Sequence, residues 1–204
     1  MRFTLSSEHH DFFKDHGYIG FQDLFPKEVI EALESHVSGT KRDLWRSLPP
    51  VKNIVFDKGL ARIAGELTRN KIIRIGFDQV IVTEDPPLFS DKITTLEKLS
   101  SIQPLACGLI LRLTEGPSFS PSIPFCPRES KGTVFFFSSN MLLSFLPLFE
   151  EKNQKFLLIG YAKEKPLYLA NKKDPSIHLL KKLGYGFGDH LKSATHPVLF
   201  SQRA

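Results

Sequence analysis

Residues 105–113 read LACGLILRL. Over these nine positions Leu or Cys at every odd position alternates with Ala, Gly, Ile and Arg at the even positions. A two-residue period of this kind predicts a β-strand. Further strands are predicted at short segments rich in β-branched or aromatic residues, namely 18–21, 72–75, 80–82, 134–137, 156–161 and 167–169. Pro, Gly and Ser turns separate several of these segments, which is typical of a β-sandwich or jelly roll.

Helical patterns lie before and after the predicted strands. They are expected at residues 7–16, 26–39 and 57–70, and a last helix is opened by Asp174-Pro175. The sequence has no internal repeat and no linker that would divide it. We therefore predict a single domain over residues 1–204, mainly β with flanking α-helices, in the α+β class.

The composition favours a globular protein without a membrane span. Charged residues make up 24% and hydrophobic residues 41% of the 204 positions, which excludes a disordered chain or a fibre. No apolar run approaches the roughly 18 residues of a span, and no apolar signal segment is visible at the N-terminus. The two cysteines, Cys107 and Cys126, form no CxxC pair, which argues against a zinc module, and a bridge between them stays open. We expect a cytoplasmic protein with no membrane partner.

The positive charge is concentrated in the last quarter of the chain. The 27 basic and 22 acidic residues give a net charge of +5, and residues 151–204 alone hold 10 basic and 4 acidic side chains. All but one of those ten are lysines, which are strongly hydrated point charges, whereas base and phosphate recognition favours arginine. A solvated basic face is the preferred interpretation, and a surface for nucleic acid is the alternative.

Four segments together resemble phytanoyl-CoA dioxygenase-like proteins. FFKDHGYIGFQDLFPKEVI at 12–30 is similar to the opening helix, turn, strand and second helix of that family, and LARIAGEL at 60–67 is similar to its next helix. Residues 105–113 resemble its central strand, and GTVFFF at 132–137 resembles the strand before its distal histidine. The resemblance implies a double-stranded β-helix, a jelly-roll or cupin-like fold with N-terminal helices, as in the Fe(II)/2-oxoglutarate-dependent dioxygenase superfamily.

The same resemblance implies an iron site whose ligands are missing here. The family binds Fe(II) through His-x-Asp/Glu and a later His, which leaves positions for 2-oxoglutarate and dioxygen. The first pair is expected between Glu84 and Gln103 and the last ligand after Phe137, yet residues 37–177 contain no histidine. We therefore expect no Fe(II) or 2-oxoglutarate cofactor, assign no catalytic residue or metal ligand, and predict an interior filled by phenylalanine.

Four residues near the family's site positions are predicted to bind a ligand. Lys155 stands where the family has the arginine that grips the far carboxylate of 2-oxoglutarate, and Arg112 is another cation on a strand. Ser138 and Asn140 follow Phe137, where the distal histidine is expected. The sequence thus predicts a non-catalytic protein that binds a small anionic molecule or another protein.

Two further functions stay open. The basic C-terminal residues are compatible with a DNA-binding regulator that responds to divalent cations, although no helix-turn-helix signature is present. An active oxygenase with a rebuilt metal site would use Asp78 or Asp85 together with a C-terminal histidine. The sequence leaves the oligomeric state open.

Smaller groups of metal-binding side chains and one long loop complete the candidates. A literal His-x-Asp occurs only at residues 9–11, and Asp189 lies close in sequence to His190 and His196. We interpret the first as a solvated helical turn and expect Asp189 to orient a neutral histidine. The proline-rich segment 116–127 is predicted to be a long loop between strands, a place where lids are often found.

Overall fold

The fold is built on one antiparallel sheet of seven strands, in a computed structural model that describes residues 4–85, 93–116 and 130–202. The strands are β1 (Tyr18–Phe21), β2 (Lys41–Arg42), β3 (Ile72–Val82), β4 (Ile102–Arg112), β5 (Val134–Ser138), β6 (Lys155–Tyr168) and β7 (Val198–Ser201). Their order across the sheet is β1-β5-β4-β6-β3-β2, and β7 pairs with the beginning of β3.

The described residues include five α-helices whose ends follow from local chemistry. They are α1 (Ser7–His16), α2 (Lys27–His36), α3 (Pro49–Val55), α4 (Lys58–Thr68) and α5 (Ile177–Lys182). The side chain of Ser6 accepts from the first turn of α1, and Asp57 does the same for α4. Gly17 ends α1 in the left-handed conformation, with φ of 78°. Within the described residues, none of the helices has the length and apolar character needed to cross a membrane.

The two faces of the sheet have different neighbours. One face packs against α1 to α4, because every second residue of the long strands is apolar on that side and meets the apolar stripes of the helices. We call the other side the inner face. It is covered by loop residues of 96–99 and 143–148 and by α5 with the turn after it. The predicted fold class, mainly β with flanking helices, is confirmed.

Several predicted segments merge into longer strands. Segments 72–75 and 80–82 both belong to β3, because the residues between them are buried as well and continue to pair with β6 after a bulge. Segment 156–161 belongs to β6, and so do the first two residues of segment 167–169, since β6 ends at Tyr168. Helix α2 ends at His36, three residues before Gly39, since Val37 already has an extended backbone.

Two strands and one α-helix escaped prediction, and the predicted 116–127 loop falls mostly outside the described residues. Strands β2 and β7 have two and four residues, too few for a period to be recognised, and α3 has seven. Most of the 116–127 loop, with Cys126, lies outside the residues that the structure describes. Cys107 is a free, buried cysteine on β4, as expected of an ordinary thiol. Whether the 116–127 loop acts as a lid is not tested by the described residues.

Candidate functional site

Phenylalanine rings fill the centre of the inner face. Phe77, Phe135 and Phe137 are all buried there, and Phe156 lies on the same face. Together with leucine and isoleucine side chains of β3, β4 and β6 they form one apolar cluster. The interior filled by phenylalanine that the sequence predicts is therefore present.

Each of three rings lies against a glycine on the neighbouring strand. Gly20 is paired with Phe135, Gly108 with Phe137, and Gly160 with Phe77. A Cβ atom placed on these glycines would lie 2.7 Å, 2.3 Å and 2.4 Å, respectively, from the ring opposite. The rings therefore occupy the space that a side chain at each glycine would need.

No histidine stands at the positions where the resemblance expects the iron ligands. No histidine occurs between residues 37 and 177, and Ser138, Ser139 and Asn140 follow Phe137. Within residues 4–85, 93–116 and 130–202, no group of three or more His, Cys, Asp or Glu side chains is placed to hold a metal ion. The residues of this chain thus do not fit the facial triad.

His196 is a buried, neutral histidine that joins the C-terminal segment to the sheet. Its Nε2 lies 3.2 Å from Nη2 of Arg46, which can only donate, so Nε2 accepts and the ring proton is on Nδ1. Nδ1 lies 3.2 Å from the hydroxyl of Tyr185. Burial, followed by the charges of Arg46 and Arg74, lowers the pKa of His196 to about 3. These contacts describe a structural histidine.

Asp189, His190 and His196, which lie close together in sequence, do not form a metal-binding group among the described residues. The carboxylate of Asp189 accepts from the backbone N–H of Gly186 at 2.7 Å, whereas His190 is exposed. The expectation that Asp189 orients a neutral histidine is wrong, because Arg46 and Tyr185 hold His196 in that state. The sequence contains no local signal for this pairing, since Arg46 lies 150 residues away.

Buried ionic groups tie strand β2 to the C-terminal segment. Arg42 Nη1 lies 3.3 Å from Oδ1 of Asp174, and both side chains are almost fully buried. The guanidinium also lies over the ring of Phe77, 3.7 Å from its centroid. Ser176 donates to Asp43 at 2.6 Å. Burial lowers the pKa of Arg42 and raises that of Asp43. We interpret this group as a structural connection, which the sequence does not reveal because the partners are far apart along the chain.

The carboxylates proposed for a rebuilt site bind backbone amides. Asp78 is fully buried on β3 and accepts from the N–H groups of Leu44 at 3.1 Å and Trp45 at 3.0 Å. Burial raises its pKa to about 7, against the opposing effect of these hydrogen bonds. Asp85 accepts from the N–H of Thr40. Neither carboxylate belongs to a metal-binding group among the described residues.

The two predicted ligand-binding cations have partners within the protein. Nζ of Lys155 lies on the helix side of the sheet and donates to the carbonyls of Glu34 and Val37, each at 3.0 Å. Arg112 lies at the end of the inner face and donates to the carbonyl of Thr114 at 3.1 Å and to Gln154 at 2.8 Å. Its guanidinium is also 3.6 Å from Glu151.

Ser138 is the last residue of β5, and Asn140 lies in the turn after it. Ser138 is paired with Cys107 in the middle of β4, five residues before Arg112 at the end of that strand. The hydroxyl of Ser138 donates to the side-chain oxygen of Asn140. The four predicted residues therefore do not converge on one cavity, and their role in binding stays a prediction.

A cleft beside Ser138 collects positive charge that the sequence did not single out. It has a volume of about 320 Å³ and lies between the ends of α1, α4 and β5. Lys14, Arg69 and His10 line it, together with Thr68 and Ser138, and no acidic side chain is among its lining residues. Helix periodicity places the first two at the ends of separate helices, but only the packing of those helices brings them together.

Solved structures with the same architecture include Fe and 2-oxoglutarate enzymes. The non-haem alpha-ketoglutarate-dependent carbocyclase SnoK from nogalamycin biosynthesis matches with a TM-score of 0.72 and 13% identity, over 95% of this chain and 96% of its own. EctD from S. alaskensis, solved with 2-oxoglutarate and 5-hydroxyectoine, matches with a TM-score of 0.58 and 13% identity, over 85% of this chain and 83% of its own.

A third match is CT296 from Chlamydia trachomatis. It is 22% identical, with a TM-score of 0.54, and the match covers 80% of this chain and 99% of CT296. No protein-family model and no curated protein matches the chain. At these identities the similarity concerns the fold alone. This chain has the double-stranded β-helix fold of the Fe(II)/2-oxoglutarate-dependent enzymes, as the sequence resemblance implied.

Proposed function

We propose that this chain is a non-catalytic protein that uses the oxygenase fold to bind a small anionic molecule. The observation that carries the proposal is the inner face, where Phe77, Phe135 and Phe137 pack against glycines. An iron centre needs two imidazoles, a carboxylate and open coordination positions. Polar groups among phenyl rings, without hydrogen-bond partners, would cost several kcal/mol. The residues at the centre of this face supply none of these ligands.

The cations of the predicted cosubstrate position also support a non-catalytic role. Lys155 donates to carbonyls at the end of α2, on the side of the sheet opposite the inner face. Arg112 faces inward, but its guanidinium contacts Thr114, Gln154 and Glu151. A two-pronged pair with a carboxylate of 2-oxoglutarate would have to replace those contacts.

Anaerobic calorimetry with Fe(II) and 2-oxoglutarate tests the proposal. We expect no saturable binding of either compound that depends on the other, and no succinate above background when oxygen is admitted. EctD serves as the positive control, because it has been solved both with bound Fe and with 2-oxoglutarate. Stoichiometric binding in which each compound tightens the other would overturn the non-catalytic assignment.

We assign the anionic ligand to the cleft beside Ser138. Lys14, Arg69 and His10 contribute positive charge or hydrogen-bond donors to its lining, which contains no carboxylate. The hydroxyl of Thr68 donates to Ala64, and that of Ser138 donates to Asn140, so the attraction rests on charge. Both side chains that carry a permanent charge are exposed, which favours weak, salt-sensitive binding.

Titration with citrate and with inorganic phosphate tests this cleft. We expect the Lys14→Gln/Arg69→Gln double variant to bind either anion about tenfold more weakly, since each exposed charge contributes up to about 1 kcal/mol. Lys58→Gln/Lys71→Gln is the matched control, because it removes two exposed lysines outside the cleft. Equal affinity in both double variants would remove the cleft from the proposal.

A further inference from the structure

Phe187 is an apolar side chain held in solvent. It is 78% exposed, and no other large hydrophobic side chain between residues 143 and 197 is exposed. Exposing a phenylalanine ring forgoes the free energy that burial of a side chain of this size provides in a folded protein. Scattered exposed side chains are common, so the local structure around this one decides whether it has a role.

The turn that carries Phe187 is held rigidly at both ends. Gly184 and Gly188 adopt φ values of +83° and +85°, which only glycine adopts easily, and they bracket the tip. The Asp189 carboxylate accepts from the N–H of Gly186 at 2.7 Å, and Gly188 donates to the carbonyl of Tyr168 at 2.8 Å. Tyr185, two residues before the tip, is buried. The ring is therefore presented by an ordered turn.

Exposed lysines precede and follow the turn, which itself carries the exposed Asp189. Lys181 and Lys182 end helix α5, and Gly184 donates back to the carbonyl of Lys181 at 3.0 Å. Nζ of Lys192 lies 5.9 Å from the ring centroid of Tyr185. A backbone hydrogen bond of 3.0 Å from Leu191 to Pro166 joins the segments that carry Lys192 and Lys165. All four lysines are exposed. We call Phe187 and these four lysines the Phe187 surface.

We propose that the Phe187 surface binds an anionic lipid membrane peripherally, with the Phe187 ring entering the interface and the lysines contacting the headgroups. Basic side chains near an anionic membrane and an apolar side chain at the boundary of the acyl region are the two contributions to such binding. The sequence predicts no membrane partner on the ground that no span is present, and a peripheral contact requires none. This surface is separate from the cleft beside Ser138 and does not depend on the ligand proposed there.

The chemistry of the surface favours a membrane over a nucleic acid or a protein. Single-stranded nucleic acid is bound by several aromatic rings that stack on successive bases and often by arginine. Here one exposed ring lies on a turn between segments whose basic residues are lysines. A protein interface of ordinary size needs a larger apolar centre than a single projecting ring provides. A bilayer accepts an isolated ring, because it has no fixed shape to match.

Vesicle co-sedimentation of the full chain tests the inference. We expect the protein to bind vesicles with 30% phosphatidylserine and not to bind pure phosphatidylcholine vesicles. An anionic surface of this kind is expected to contribute about 1 kcal/mol for each lysine near it. Binding should weaken as the salt concentration rises. Phe187→Ser should weaken the binding about tenfold or more. Lys181→Gln/Lys182→Gln should weaken it about 25-fold, or about fivefold for each lysine.

Matched variants separate this surface from the rest of the molecule. Val29→Ser removes an exposed apolar side chain from α2, and Lys58→Gln/Lys71→Gln removes two exposed lysines elsewhere; neither should change binding. Phe187→Trp should show a blue-shifted fluorescence on anionic vesicles only, since the natural Trp45 is buried. The proposal fails if the unaltered protein does not bind the vesicles or if Phe187→Ser binds equally well. Binding of a 20-nucleotide single-stranded DNA without vesicle binding would replace it with the nucleic-acid alternative.

Discussion

Gly160 shows at the scale of one residue how the inner face is filled. Gly160 and Phe77 are paired across β6 and β3, and the ring occupies the place of the absent side chain. A methyl group there would meet ring carbons at 2.4–2.8 Å, well inside normal contact distance. The ring would have to move in a core whose neighbouring side chains are already packed.

We predict that Gly160→Ala lowers the free energy of unfolding by about 1–3 kcal/mol, the usual cost of overpacking a core. In a Phe77→Leu background the same change should cost clearly less, because the smaller side chain leaves room for the added methyl. Urea unfolding of the two single variants and the double variant measures the coupling between the positions. A cost that is unchanged by Phe77→Leu would show that the glycine serves the backbone and not the ring.

Among the secondary-structure elements, Lys155 connects strand β6 to the C-terminal end of helix α2. Its ammonium group donates to the carbonyls of Glu34 and Val37, and α2 ends at His36. Cations are favourable at helix C-termini, where carbonyl groups lack partners within the helix. This contact gives the residue a structural role that its position on the strand does not reveal.

We expect Lys155→Met to lower the free energy of unfolding by about 1–2 kcal/mol, because charged hydrogen bonds to two carbonyls are lost. Phosphate and citrate binding should be unaltered, since Lys155 does not line the cleft beside Ser138. Lys152→Met, at an exposed position nearby, is the control and should change stability by less than about 0.5 kcal/mol. Loss of anion binding without loss of stability would restore Lys155 as a ligand-binding residue.

The sequence predicts best those elements in which a periodic pattern of apolar residues or a clear end signal is present. Strand β4 follows from alternation at 105–113, and α4 follows from apolar spacing after Asp57. Helix α1 follows from its end signals, Gly17 and a serine cap, although the cap is Ser6 and not the predicted Ser7. The pairing of Phe137 with Gly108 cannot be read from the sequence, because it depends on the register between β4 and β5. The positions of Arg42 and Asp174 are hidden for a similar reason, since only the tertiary structure brings them together.

Buried ionisable groups couple the stability of the whole molecule to pH in two opposite directions. The pKa of His196 falls to about 3, so between pH 6.5 and 3 the unfolded chain holds the extra proton and stability is lost as the pH falls. The pKa of Asp78 rises to about 7, so between pH 3.8 and 7 the folded chain holds the extra proton and stability is lost as the pH rises. In the shared range the two effects oppose each other.

We predict that stability is nearly constant between pH 4 and 6.5 as far as these two groups determine it. Relative to the unaltered protein, His196→Asn should gain stability as the pH falls and Asp78→Asn should gain it as the pH rises, each by up to about 1.4 kcal/mol per pH unit. Urea unfolding at pH 4.5, 5.5 and 6.5 measures both slopes. Parallel profiles for the three proteins would contradict the assigned protonation states.

The paired phenylalanines and glycines also restrict how this chain can change over generations. At Gly108 any side chain collides with Phe137, and replacement of Phe137 by a histidine would leave a hole above Gly108. The same holds for the pairs 20/135 and 160/77. Neither member of a pair can change alone without a loss of stability, so the acquisition of a polar metal site on this face would pass through intermediates that fold less well. In an alignment of homologous sequences, the two positions of each of these three pairs should therefore covary.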